Sequence, residues 1–322
     1  MAKLALTFLV RDFDYLAPLA RGEVAAEGID LKLEVDTHGA LTRALTDPSV
    51  LLGEISMGRH LIQMAERGKT DYVGIPFFLA RSFRHRCFFV RRNSGLRELR
   101  DLEGRRVGTD EWPATGNTWS RAALREQGVR IEGIHWRVGT IDGTPYGRPQ
   151  GTFPPYVQLA PPGRTLSEML IEGELDAMMC PFAPRRFYEP ESPIVRLFPD
   201  FRRVEREYYR RTGIYPAHHI VGIRRSLFEE NPWVARSIYE ALDRSKNLWL
   251  EVRRQVPEAP PWLLAEIEET IALMGQDWRP SGVEANRKMI QTFCGELFAQ
   301  GLITRKLDGA SAFAEFERAR ED

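Results

Sequence analysis

Apolar and polar positions alternate in short blocks along most of the chain, with two different periods. KLALTFLV (3–10) is a compact apolar run, and GIDLKLEV (28–35) places Ile29, Leu31, Leu33 and Val35 at every second position, which predicts two strands. A helical pattern lies between them and another covers 39–46. SVLLGEIS (49–56) predicts a short strand with a polar tip, and 57–67 a helix stopped by Gly68. YVGIPFF (72–78) and RCFFV (86–90) predict two more strands. Residues 93–112 read as a turn, a short helix, a glycine and the strand RRVGT. A helix follows from Thr115 to Gln127, closed by Gly128, and then the strand HWRVGT (135–140). Residues 141–163 are rich in Gly and Pro and predict a long loop. TLSEMLIEGELDAMMC (165–180) reads as a capped helix, a glycine stop and a strand. FRRVEREYYRRTG (201–213) reads as a helix and HHIVGIRR (218–225) as a strand. At Asn231-Pro232, a capping residue followed by a first-turn proline, the chain turns helical. Val234, Ile238, Leu242, Trp249 and Val252 form a stripe there. Two further helices, at 262–274 and 283–300, each end in a glycine.

Strand–helix units followed by a helical tail place the chain in the α/β class and permit two lobes. Strands that leave one block and enter another lie near 88–92 and 216–222. They divide the chain into lobe one, 1–90 plus 220–322, and lobe two, 91–219. A length of 322 residues suits one large domain or two medium ones. Lys plus Arg and Asp plus Glu both number 45, and this neutral total argues against a nucleic-acid partner. No apolar run approaches the ~18 residues of a membrane-spanning helix. The KLALTFLV run ends at Arg11 and Asp12, short of a secretory signal, so a cytoplasmic or already processed protein is expected. The three cysteines, Cys87, Cys180 and Cys294, are far apart and form no disulfide framework. No CxxC or HExxH spacing supports a zinc site. The cations are mostly Arg, which suits bidentate capture of carboxylates and is equally the mark of a GC-rich genome.

Several longer strings carry more information. RDFDYLAPL (11–19), GEIS (53–56), IPFFLARSFRH (75–85), DLEGRRVG (101–108), LFPD (197–200), YYRRTGIYPAHHIVGIRR (208–225), NPWVARSIYEA (231–241) and LMGQDWRPSGVEANR (273–287) occur in this order. Together, from about residue 3 to 305, they resemble the 4,5-dihydroxyphthalate decarboxylase family. The resemblance implies a two-lobed type II periplasmic-binding-protein-like fold with a ligand cleft between the lobes. It also implies loss of one of two adjacent ring carboxylates as CO2, with protocatechuate as the other product. A solute-binding protein for an aromatic or other small carboxylate is the alternative on such a fold. Expected partners are a small aromatic carboxylate, with no nucleic acid and no membrane; a homo-oligomer is left open.

Such a decarboxylation needs cations for the carboxylates, a general acid aimed at the ring carbon and an acceptor for a phenolic proton. RSFRH (81–85) offers Arg81 and Arg84 as carboxylate binders and His85 as the acid. If a strand already covers this motif, Arg84 and His85 point to opposite sides. Of His218 and His219, one at most can line a site; the resemblance favours His219. Glu54 and Ser56 stand at a strand's carboxyl end, where ligands of open α/β sheets bind, and Glu54 is a candidate proton acceptor. Asp12 is placed similarly after the first strand, whereas Asp14 is expected to cap the next helix. Glu111, Trp112 and Thr115 open a helix whose backbone N–H groups suit an anion, with Trp112 a candidate to stack on the ring. Arg185 and Arg186 follow the strand DAMMC, and Arg185 is a further candidate cation. Cys180 reads as a buried thiol. The chemistry requires no cofactor; a divalent metal held by Glu54, His60, His85 and His219 and chelating the catechol is the alternative, with no local ligand spacing behind it.

Overall fold

The computed structural model describes residues 2–143, 153–255 and 260–321. Eleven strands run in chain order among them: β1 (Leu4–Val10), β2 (Ile29–Val35), β3 (Leu52–Ser56), β4 (Tyr72–Arg81), β5 (Phe88–Arg91), β6 (Arg106–Thr109), β7 (His135–Val138), β8 (Val157–Leu159), β9 (Ala177–Met179), β10 (Ile194–Arg196) and β11 (Ala217–Arg224). They form two mixed sheets with flanking helices, an α/β architecture, and the chain divides into two units.

The first unit contains Met1–Arg81, Ala217–Gly295 and Ile303–Asp322. Its sheet has the order β2-β1-β3-β11-β4, parallel from β2 to β3 and antiparallel on both sides of β11. Alternate residues of β1, Leu6, Phe8 and Val10, join Val234, Ile238 and Leu242 of the Trp233–Gln255 helix in one buried cluster. Fully burying each such side chain contributes about 1.5–3 kcal/mol. The expected stripe therefore holds through Trp249, which packs partly buried against the same cluster, but Val252 is exposed. The helix begins at Trp233, and Asn231 closes the preceding helix, Arg225–Glu230. The β11–β4 register is irregular on either side of His219, where Pro76 interrupts the β4 ladder.

The second unit contains Ser82–Pro216 and Glu296–Leu302. Its sheet has the order β10-β5-β9-β6-β7-β8, with β5 antiparallel to both neighbours. One face carries Trp112, Trp136, Leu124 and Val107, and the other Phe89, Leu166, Leu170 and Met178. The TLSE string forms a reciprocal capping box, with Thr165 and Glu168 each bonding the other's backbone N–H.

These units differ in detail from the boundaries drawn at 90 and 220. Residues 82–90 go with the second unit because β5 pairs with β9 and β10; Ala217 already pairs with β4 in the first. Residues 296–302 join the second unit because Gln300 and Glu296 bond Arg121 and Arg125. Within the expected 141–163 loop, 144–152 lie outside the described residues, and β8 occupies part of the rest. β8 adds in parallel to β7, and two of its three residues are exposed, so its apolar pattern is too short to read.

Candidate functional site

In the first unit, the carboxyl ends of β1 and β3 and the start of β11 bring three side chains together. Glu54 is completely buried. Its Oε2 accepts from the Arg11 backbone N–H (2.9 Å), and its Oε1 accepts from Arg11 Nε (2.9 Å). The same Oε1 lies 2.5 Å from His219 Nδ1, and Arg11 Nη2 lies 2.8 Å from that nitrogen. Burial pushes the Glu54 carboxyl up, but the His219 hydrogen bond, the Arg11 charge and the Arg11 backbone N–H outweigh it. The group is held below the usual carboxylate range. Burial pulls His219 below its ordinary value even though Glu54 favours the imidazolium. Glu54 and Arg11 thus both meet His219 at Nδ1, an acceptor on one side and a donor on the other.

Other candidates in this unit are otherwise engaged. Ser56 caps the Met57–Arg67 helix, its Oγ accepting from the Arg59 N–H. Arg81 Nη2 donates to the Pro280 carbonyl and to Asn286 Oδ1, with its guanidinium over Phe78, so it fastens the 280–286 turn. Asp12 is exposed. Asp14 sits inside the first turn that it was expected to cap; Phe13 holds the cap position and makes no side-chain bond. His60 turns its ring to the Ala312 carbonyl and Thr70. Among the described residues no three His, Cys, Asp or Glu side chains are grouped as metal ligands.

In the second unit, Arg84 precedes a single 3-10 turn, His85–Cys87, rather than lying on a strand, so the alternation argument does not apply to it. Arg84 is 5 % exposed; its Nε donates to Ser120 Oγ (3.1 Å), and its Nη2 is buried without a partner. The guanidinium lies against Gly116, close enough that a Cβ there would stand 2.9 Å from Cζ. Gly116 is the second residue of the Thr115–Glu126 helix, whose cap residue, Ala114, has no side chain to bond the first-turn N–H groups. A buried guanidinium with one unpaired nitrogen beside a helix N-terminus has the electrostatics of an anion site, although the Glu205 carboxylate is close enough to feel Arg84. Thr115 is buried at this helix start, and Asn117 Oδ1 is likewise buried and unpaired.

His85 is buried against Tyr208 and Phe198, with its Nδ1 unpaired. Burial lowers its pKa to about 4, so it is neutral at pH 7. Trp112 does not present a face for stacking. It is buried edge-on to Trp136, and the Arg121 guanidinium lies 3.9 Å from its centroid. Arg121 is itself completely buried, donating to Gln300 Oε1 and the Trp112 carbonyl, and burial lowers its pKa to about 9. Glu111 and Arg185 are exposed; Arg185 is held through its backbone N–H by Asp142. Cys180 Sγ contacts the Phe182 carbonyl (3.1 Å), and burial raises its pKa, as befits an inert thiol.

A groove of about 320 Å³ in this unit is lined by Arg86, Phe89, Phe182, Tyr188 and Arg196 among others. Phe182 and Tyr188 are 60 % and 76 % exposed, so aromatic surface for a ring is present here rather than at Trp112. Arg11, Phe182 and Tyr188 were not singled out from the sequence. Arg11 alone had a usable signal, since it leaves β1 at the end from which Glu54 leaves the adjacent β3.

The whole chain is similar to curated proteins. It is 32% identical over 322 residues to the 4,5-dihydroxyphthalate decarboxylase of Comamonas testosteroni, covering 97% of each. It is 31% identical over 217 residues to that of Pseudomonas putida, covering 65% of this chain and 83% of the relative. Among solved structures, the periplasmic sulfonate-binding protein SsuA of Methylobacillus flagellatus superposes with a TM-score of 0.52 at 12% identity. That match covers 100% of this chain and 95% of the other, and it shows the periplasmic-binding-protein fold. No family model matches the chain. Among the described residues no helix is long and apolar enough to cross a membrane.

Proposed function

The chain belongs to the 4,5-dihydroxyphthalate decarboxylase family, and from that premise we propose that it is a carboxy-lyase converting 4,5-dihydroxyphthalate to protocatechuate and CO2. The observation that carries this reading is the full-length similarity to the Comamonas testosteroni enzyme.

Within each unit, taken by itself, residues are suited to a part of this chemistry. A hydroxyl para to the departing carboxylate pushes electron density onto the ring carbon as it loses its proton. That carbon accepts a proton, its bond to the carboxylate breaks with the electron pair staying in the ring as CO2 leaves, and the phenolate regains its proton. His219 Nε2 takes the phenolic proton, with Glu54 fixing the ring through Nδ1. Glu54 itself is too deeply buried and too fully bonded to touch a ligand, so its part is to orient. Arg84 and the start of the Thr115–Glu126 helix take a carboxylate. His85 donates to the ring carbon. In the free protein it is neutral, so its acid form depends on the negative charge that the dicarboxylate brings. Phe182 and Tyr188 offer apolar surface to the ring. The reading needs no metal or organic cofactor, and it places the protein in the cytoplasm with other enzymes of aromatic breakdown.

The test is incubation with 4,5-dihydroxyphthalate, following protocatechuate and CO2, with and without a chelator. Product in both conditions is expected. Product abolished by chelator would assign the catechol hydroxyls to a metal instead. A ligand-induced rise in Tm with no product would make the protein a carboxylate-binding protein.

A further inference from the structure

Arg11 connects three neighbouring strands. Its backbone N–H and Nε hold the two oxygens of Glu54, and its Nη2 reaches His219 Nδ1 at 2.8 Å. A guanidinium can only donate and a carboxylate can only accept. His219 Nδ1 therefore has a permanent donor on one side and a permanent acceptor, Glu54 Oε1 at 2.5 Å, on the other. A hydrogen on Nδ1 serves Glu54, and Arg11 then contributes charge rather than a hydrogen bond.

A buried carboxylate alone beside an imidazole favours the imidazolium, in which both ring nitrogens carry hydrogen and Nε2 can accept nothing. Arg11 alters that balance in two ways. It neutralises Glu54, and it sets a positive charge directly against the ring. We propose that Arg11 is a positioning residue that keeps His219 a neutral imidazole, its Nδ1 hydrogen on Glu54 and its Nε2 free to accept a proton. The groups that face the ring agree with this. Glu54 comes from β3 and Arg11 from the end of β1. The His218 ring adjoins at 6.5 Å, and on β4 the residue opposite is the uncharged Ala80. Glu54 raises the affinity of the ring for a proton, while Arg11 and burial lower it.

The proposal rests on His219 as the proton acceptor, but it is tested on the free protein, without turnover. The measurement is a pH titration of the imidazole nitrogens by 15N NMR, with His219 assigned by loss of its signals in His219→Gln. Wild type should show a neutral ring at pH 7; an imidazolium there would overturn the proposal. Arg11→Met should raise the protonation midpoint by about one pH unit or more, since a unit charge within hydrogen-bond distance is removed. Arg11→Lys, which keeps the charge, should restore it. Should Arg11→Met fail to fold, Arg11→Gln, which keeps a donor for Glu54, carries the same expectation. A folded neutral variant with an unmoved midpoint would make Arg11 merely structural. The acid limb of the kcat profile should move with the midpoint. If instead His219→Gln retains turnover while the NMR shift is seen, Arg11 still sets the state of the ring and the catalytic role of His219 falls.

Discussion

Replacing Arg84 with methionine should separate substrate binding from folding. Methionine keeps most of the buried stem, so little cavity forms. In the free protein the guanidinium makes one hydrogen bond, to Ser120, and holds one buried N–H without a partner. Losing the first costs stability and removing the second restores some. Each is on the order of 1–3 kcal/mol, so the net change should stay within about 1 kcal/mol. The ligand sees only a loss. A charge-assisted hydrogen bond to a carboxylate is worth about 1.5–3 kcal/mol, so KM should rise roughly 10- to 100-fold. Gly116→Ala tests the same point from the other side. Its Cβ would meet the Arg84 guanidinium at 2.9 Å and push it aside. Alanine in place of glycine favours the helix by up to about 1 kcal/mol. KM should therefore rise while stability holds or improves. The assays are initial rates of protocatechuate release and urea-denaturation midpoints. Unchanged KM in both variants, with wild-type midpoints, would refute the carboxylate role. A loss of several kcal/mol in Arg84→Met with unchanged KM would make Arg84 a structural cation.

His85→Ala should abolish turnover while equilibrium binding of the substrate stays within a few fold of wild type; near-normal kcat would remove His85 as the ring acid. Stability should fall on acidification between about pH 6.5 and 4, because His60 and His85 are buried neutral with pKa lowered to about 4. The unfolded chain binds those protons first, so their contribution is complete above the unfolded pKa and is lost as pH drops, by up to ~1.4 kcal/mol per pH unit for each histidine. Denaturation midpoints at pH 7 and 5 check this, and His60→Phe should flatten the slope.

The architecture was readable because its signals are local. Alternation along GIDLKLEV, the capping box of TLSE and the glycine after residue 67 each fix a strand or helix end by short-range chemistry. β8 and β10 were missed because each has three residues with only one buried, too little apolar pattern to separate from loop, whereas the equally short β9 is buried throughout and reads as an apolar run. The candidate site was legible as residue types at strand ends but not as partnerships. Nothing in the spacing of Arg81 and Arg84 distinguishes the arginine that holds Asn286 from the one that donates to Ser120 beside Gly116. Trp112 does not fill its expected stacking role for a similar reason. Position after a strand does not reveal that Arg121, nine residues further along the chain, covers the Trp112 face. Glu54 and His219 meet across two strands far apart in sequence, and Arg11 completes them from a third.

The position of β11 between β3 and β4 bears on how the protein is made. On the ribosome β3 and β4 emerge early, yet the strand that joins them follows only after residues 82–216 have been synthesised. At ~5–20 residues per second that delay is on the order of ten seconds. Throughout it both strands present open backbone edges, the surfaces most prone to pairing with another chain. The nascent polypeptide is therefore most exposed to misassembly just before His219 leaves the exit tunnel, and chaperone capture of the first 81 residues would be of greatest use in that interval.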